Sequence, residues 1–197
     1  MLDAFLPLVL FVLVATISPG GATTLATASG ATFGWWRSFP LLSGISFGLA
    51  SMAVAAALGL GGLILAMPAL QLAMKLLGSL YLFWLAVQIA LRGQPGKAAV
   101  TQKPSRFIAG VGLLWQNPKA WAMTLSAAAS FTSLAHSAEG LAVLLGLVFA
   151  VLSLASLALW CVAGVVLARA LKTERQWRML NRCLGALLVA SIVPLWL

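Results

Sequence analysis

The sequence predicts an all-α integral membrane protein of six transmembrane helices, built as two inverted three-helix repeats with helices one and four broken. Three observations carry that prediction. The 197 residues are 62% apolar and only 8% charged, with a mean hydropathy of +1.07, whereas a soluble domain carries about 25% charged residues. Lysine and arginine fall almost entirely in alternate connections between apolar runs. Two of those runs are interrupted in matching places, at Ser18-Pro19-Gly20-Gly21 and at Asn117-Pro118-Lys119.

Apolar runs long enough to cross a bilayer lie at about 5–28, 41–67, 70–91, 107–131, 141–168 and 179–197. Span one contains Pro19, which lacks a backbone donor and clashes with the preceding turn, so the helix must kink or unwind there. Span two is rich in small residues, from Gly44, Ser46 and Gly48 to Gly59, Gly61 and Gly62, a pattern that suits close helix packing. Span three carries Lys75 five residues in, near enough to its end to snorkel outward. Span four is broken by Pro118 in the way span one is broken by Pro19. Span five is continuous. Span six is the shortest: from Cys183 onward only about 22 Å of helix remains at 1.5 Å per residue, so it crosses only if Met179 to Arg182 belong to it.

The connections after spans one, three and five hold Arg37; Arg92, Lys97, Lys103 and Arg106; and Arg169, Lys172, Arg175 and Arg178, with Arg182 at the edge of the last. The opposite side holds Asp3, His136 and Glu139 and no lysine or arginine. The positive-inside rule then puts both termini outside the cytoplasm. The chain reads as one transmembrane domain over 1–197: repeat one at about 1–92, a cytoplasmic linker at about 92–106, and repeat two at about 107–197. Met1-Leu2-Asp3 is acidic where a signal peptide is positive, so none is expected. Internal similarity supports the repeat: Pro19 answers Pro118, Gly44 answers Gly146, and Lys75-Leu76-Leu77-Gly78 answers Arg182-Cys183-Leu184-Gly185, at offsets of 99, 102 and 107.

Paired interruptions in two half-chains point to a solute site at the midplane between them. The candidate site residues are Pro19, Gly20, Gly21 and Thr23 at the first break and Asn117, Pro118 and Lys119 at the second. Amides exposed at a half-helix N-terminus favour a carboxylate, with hydroxyls of Thr16, Ser18, Thr23 and Thr24 around it. Lys119 sits deep in span four, where an ammonium costs about 2.5–3.5 kcal/mol on insertion scales, and so invites a functional reading. Lys75 and Arg182, matched across the repeats, are candidates for gating or structural roles. Trp35, Trp36, Trp84, Trp115, Trp121, Trp177 and Trp196 read as interfacial anchors. The spans contain no Asp or Glu, and Cys161 and Cys183 have no ligand spacing, so no catalytic, metal or cofactor site is expected. The cations flank apolar spans, which argues against a nucleic-acid partner and for the bilayer.

At Pro19-Gly20, Gly34-Trp35-Trp36-Arg37, Gly44, Lys75-Leu76-Leu77-Gly78-Ser79-Leu80-Tyr81-Leu82, Leu91-Arg92 and Asn117-Pro118-Lys119-Ala120-Trp121, the chain resembles the LysE/RhtB-type amino-acid exporters over essentially its whole length. The resemblance implies a proton-driven exporter of amino acids or close derivatives in the bacterial inner membrane. It does not imply an enzyme. Where that family usually reads Pro-Gly-Pro, often followed by a polar or acidic residue, this chain reads Pro19-Gly20-Gly21-Ala22. The missing acid speaks against a cationic substrate and for small neutral amino acids of threonine, homoserine or leucine size. Export of basic amino acids, of a metal or other ion, and a non-transporting membrane scaffold are the alternatives. A homodimer is left open.

Overall fold

The computed structural model describes residues 2–60, 66–91, 104–193 and 196. Seven α-helices are described: α1 (Leu2–Ile17), α2 (Gly21–Ala57), α3 (Pro68–Ala90), α4 (Phe107–Trp115), α5 (Pro118–Ser130), α6 (Ala138–Ala170) and α7 (Glu174–Ala190), with a short 3-10 turn at Thr132–Leu134. Among the described residues there is no strand. By length and composition α2 and α6 could each cross a membrane. Most of the expected linker, with Arg92, Lys97 and Lys103, lies outside the described residues, as does the end of span two at 61–65.

Both expected breaks are present, separating α1 from α2 and α4 from α5. Spans one and two, however, are not joined by a polar loop. The helix of residues 21–57 runs through Gly34, whose φ of 75° and ψ of 179° suit glycine alone. There the chain doubles back. Ser29 donates to Ser38 at 2.8 Å, although nine residues of straight helix would separate them by about 13 Å. Ser38 in turn donates to the Gly34 carbonyl at 2.7 Å. Span one therefore extends to residue 33 and span two starts at 35 instead of 41, with Arg37 on its first turns. At the other end of the chain, a capping box places the start of α7 five residues before the expected span six. Thr173 accepts from the Gln176 amide at 3.3 Å, and the Gln176 side chain accepts from the Thr173 amide at 3.1 Å. Arg169, Arg175 and Arg178 are therefore helical and not loop residues, and Arg178 pairs with Glu174 at 3.0 Å.

The long helices α2 and α6 form the centre. Backbones approach closely wherever glycine allows it. A methyl on Gly30 would collide with the Cys161 carbonyl, and one on Gly164 with that of Thr27, so α6 lies directly against residues 27–31. Gly44 and Gly110 do the same for α2 and α4, against the backbone of Phe107 and of Leu41 to Ile45. Gly44 and Gly146, paired by sequence, have different surroundings, because Gly146 faces the Val54 side chain. The pair α3 and α7 closes the bundle through Gly185 against Ala86 and Ala90. α3 also reaches both breaks, with Leu82 beside Gly21 and Gly78 against the Gln116 carbonyl.

The tryptophans do more than anchor. Trp121 and Trp177 are buried, unlike Trp36, Trp84 and Trp196. Trp121 Nε1 donates to the Trp115 carbonyl at 3.0 Å, holding the chain across the second break. Trp160, which span reading did not single out, donates to the Ile17 carbonyl at 3.1 Å.

Candidate functional site

Each break exposes backbone groups that a continuous helix would pair, and apolar surroundings make an unpaired group costly. At the first break the carbonyls are taken by side chains. Ala15 accepts from Ser18 Oγ at 2.9 Å, Thr16 from Ser156 Oγ at 2.9 Å, and Ile17 from Trp160. Gly20 departs from the expectation of free amides. Its N–H donates to Thr23 Oγ1 at 2.8 Å, and the Thr23 hydroxyl donates back to the Gly20 carbonyl at 3.0 Å. Thr23 is thus a cap. The amides left without an intrahelical acceptor are those of Gly21 to Thr23, on the first turn of α2.

At the second break Asn117 is the N-cap of α5, its Oδ1 accepting from the Lys119 amide at 3.0 Å, and Pro118 occupies the first helical position, where a missing N–H costs nothing. This geometry throws the Lys119 side chain away from α5 and across to the other half. Its Nζ donates to Ser18 Oγ at 3.1 Å. Because the Ser18 proton is committed to the Ala15 carbonyl, Ser18 can only accept from Lys119. The ammonium also lies beside Gly20.

The two breaks face one cavity of about 50 Å³, room for a few waters. Gly20, Gly21, Thr23, Asn117 and Lys119 line it, together with Thr16 and Ser18. Pro19 and Pro118 shape the breaks from outside the lining. Lys75 and Arg182 do not line it: Lys75 Nζ sits 5.9 Å above the Trp196 ring, and Arg182 is exposed on α7. The opposite wall is apolar, made by Ile45, Leu49, Leu114, Met123 and Leu157, with one polar group, Ser153. Sequence reading missed this wall, since its residues look like any others in an apolar span. The cue lies in register: Ser153 and Leu157 are one turn apart on α6, as Ile45 and Leu49 are on α2.

A second, wider hollow of about 520 Å³ lies further along the same helices, lined by Ala56, Leu125, Thr132, His136 and Leu141 among others. On α6 the steps Leu141, Leu145, Phe149, Ser153 lead from one hollow to the other, and Leu145 and Phe149 between them are wholly buried, as are Met52 and Ala53 on α2. These side chains shut the small cavity off from the hollow beside His136. Among the described residues neither Glu139 nor Glu174 lines the cavity, and Lys119 is the one charged group in its lining.

The chain matches the LysE type translocator family over residues 13–193. It is 28% identical over 194 residues to the cysteine/O-acetylserine efflux protein of Klebsiella pneumoniae subsp. pneumoniae, covering 98% of this chain and 95% of that one. No solved structure matches it.

Proposed function

The chain belongs to the LysE type translocator family, a transporter and not an enzyme, and we propose that it exports small neutral amino acids or their close derivatives across the bacterial inner membrane. The observation that carries this reading is the convergence of both helix breaks on one cavity whose only charge among the described residues is the Lys119 ammonium. A zwitterion's carboxylate finds there a cation and first-turn amides, while a neutral side chain finds the wall of Ile45, Leu49, Met123 and Leu157. A second ammonium or a guanidinium would enter without an anionic partner, at a cost of several kcal/mol. The related efflux protein, named for cysteine and O-acetylserine, is consistent with solutes of this size and charge. The test is counterflow in proteoliposomes loaded in turn with threonine, homoserine, leucine, cysteine, lysine and arginine. Exchange of the neutral solutes is expected at least tenfold faster than that of the basic ones. Rapid lysine exchange without neutral exchange would sink the reading.

The proposal includes six spans in two inverted repeats, over about 1–92 and 107–197, with both termini periplasmic. Three features support it. Each half runs a broken helix followed by two further helices. Each long helix grips the other half's break: Ser156 of α6 holds the Thr16 carbonyl, and Ser51 of α2 accepts from Trp115 Nε1 at 3.1 Å, at an offset of 156 − 51 = 105. Ser46 and Ser153, at 153 − 46 = 107, the offset of Lys75 and Arg182, touch each other as residues on a two-fold axis must. Reporter fusions after residues 37, 136 and 197 should place the first on the cytoplasmic side and the other two on the periplasmic side. A cytoplasmic C-terminus would remove the inverted repeat.

A further inference from the structure

A zwitterion bound through its carboxylate leaves an α-ammonium to be seated, and among the described residues no acid lines the cavity to receive it. We propose that Ser153, held by Ser46, is the seat of the solute's α-ammonium, so that the site selects amino acids over the matching keto acids. This rests on the export reading above and adds a second recognition point to it.

The argument is one of counting protons. Ser46 Oγ lies 2.7 Å from the Ala150 carbonyl, an atom that can only accept, so the single hydroxyl proton of Ser46 is spent there. Ser153 Oγ lies 3.0 Å from Ser46 Oγ and 3.4 Å from the same Ala150 carbonyl, so its own proton is taken within this cluster, by the shorter contact to Ser46. Both hydroxyls are buried, Ser153 being 2% and Ser46 5% exposed, so neither is reoriented by bulk water. The relay Ser153 to Ser46 to Ala150 therefore fixes the polarity of Ser153. Toward the cavity it presents lone pairs and no proton. A group of that polarity takes a hydrogen-bond donor and repels a carbonyl.

Ser153 and Lys119 line the same small void from opposite halves, and a void of about 50 Å³ places its lining groups within the span of one small solute. Lys119 supplies donors and Ser153 an acceptor, which matches a carboxylate and an ammonium on adjacent atoms of one molecule. The other hydroxyls near the breaks have the wrong commitments. Thr23 closes on Gly20, and the free capacity of Ser18 is taken by Lys119; Thr16, whose proton goes to the Val12 carbonyl at 2.8 Å, also presents lone pairs, but it lies at the first break beside the Lys119 and Ser18 pair.

Proteoliposomes holding the full chain would be assayed for counterflow of L-leucine and L-threonine and of 4-methyl-2-oxopentanoate, which has leucine's shape and carboxylate but no donor at the α-carbon. The wild type is expected to prefer leucine over the keto acid by roughly 10²-fold or more, because a site built around a hydrogen bond rejects an analogue lacking it. Ser153→Thr should keep most of that preference. Ser153→Val, with threonine's shape and no hydroxyl, should reduce it to within about tenfold, by slowing leucine more than the keto acid relative to the threonine variant. A purely packing role for Ser153 would move both solutes together and leave the ratio intact. Equal ratios in the Thr and Val variants, or a wild type that carries the keto acid as well as leucine, would overturn the proposal while leaving amino-acid export standing. No counterflow of leucine, threonine or the keto acid at all would overturn the seat and the export reading together.

Discussion

Replacing Lys119 with alanine is expected to abolish export while leaving the protein folded in the membrane. The Lys119 ammonium joins the two breaks through Ser18 and, among the described residues, is the only charge in the cavity lining. A hydrogen bond to a charged group contributes about 1.5–3 kcal/mol, and losing both the bond and the partner of the solute carboxylate corresponds to roughly 10²-fold or more in transport rate. Stability should move little or rise, because an ammonium held away from water is itself costly. Lys119→Arg should recover only part of the activity, since the planar guanidinium reaches and hydrates differently from a compact ammonium. Counterflow measured beside membrane abundance and detergent melting would check this. Full exchange by Lys119→Ala would remove the cation from the site.

The largest structural effect is expected at Gly44. A methyl there meets the backbone of Phe107, which cannot rotate away as a side-chain end could, so α2 and α4 must separate along their whole crossing. Overpacking of this kind costs about 1–3 kcal/mol for small insertions, and Gly44→Ala should fall in the upper part of that range. A loss of about 2–3 kcal/mol would lower the melting temperature of a chain this size by about 5–10 °C. The control is Gly112→Ala on the same helix α4. Nothing lies within 4 Å of its added methyl, and the gain in helix propensity should leave stability unchanged or slightly higher. Similar melting of the two variants would mean that close approach at Gly44 is not what holds α4 in place.

Both breaks were legible in the sequence because proline inside an apolar run forces a local answer that no tertiary context can remove. The residues around them came with the prolines: Gly20, Gly21, Thr23, Asn117 and Lys119 were nominated together and line one cavity. What Gly20 and Thr23 do there was not legible. An amide beside a proline looks free until the threonine three residues on is seen to cap it. Ser153, Met123 and Leu157 were missed because small polar and apolar residues in an apolar span carry no mark of which face they occupy. The turn at Gly34 was missed for a related reason. Hydropathy finds connections by their polar residues, and this one needs none, only a residue free to adopt a positive φ. The start of α7 went the other way: its first turns are polar and charged, so they read as loop although a capping box begins the helix at Glu174.

The one-residue reversal at Gly34 makes the two halves mechanically unequal. In the first half the arm bearing Gly21 and Thr23 joins its long neighbour with no spare chain, and the Ser29–Ser38 bond ties the corner shut. Tilt the long helix and the first break tilts with it, like a rigid elbow. In the second half the arm bearing Lys119 connects to α6 through residues 131–137, a 3-10 turn and an extended stretch with slack to take up. That arm is a tethered flap. Movement during a transport cycle should therefore be borne chiefly by the Lys119 side, which swings against a first break that keeps step with the frame.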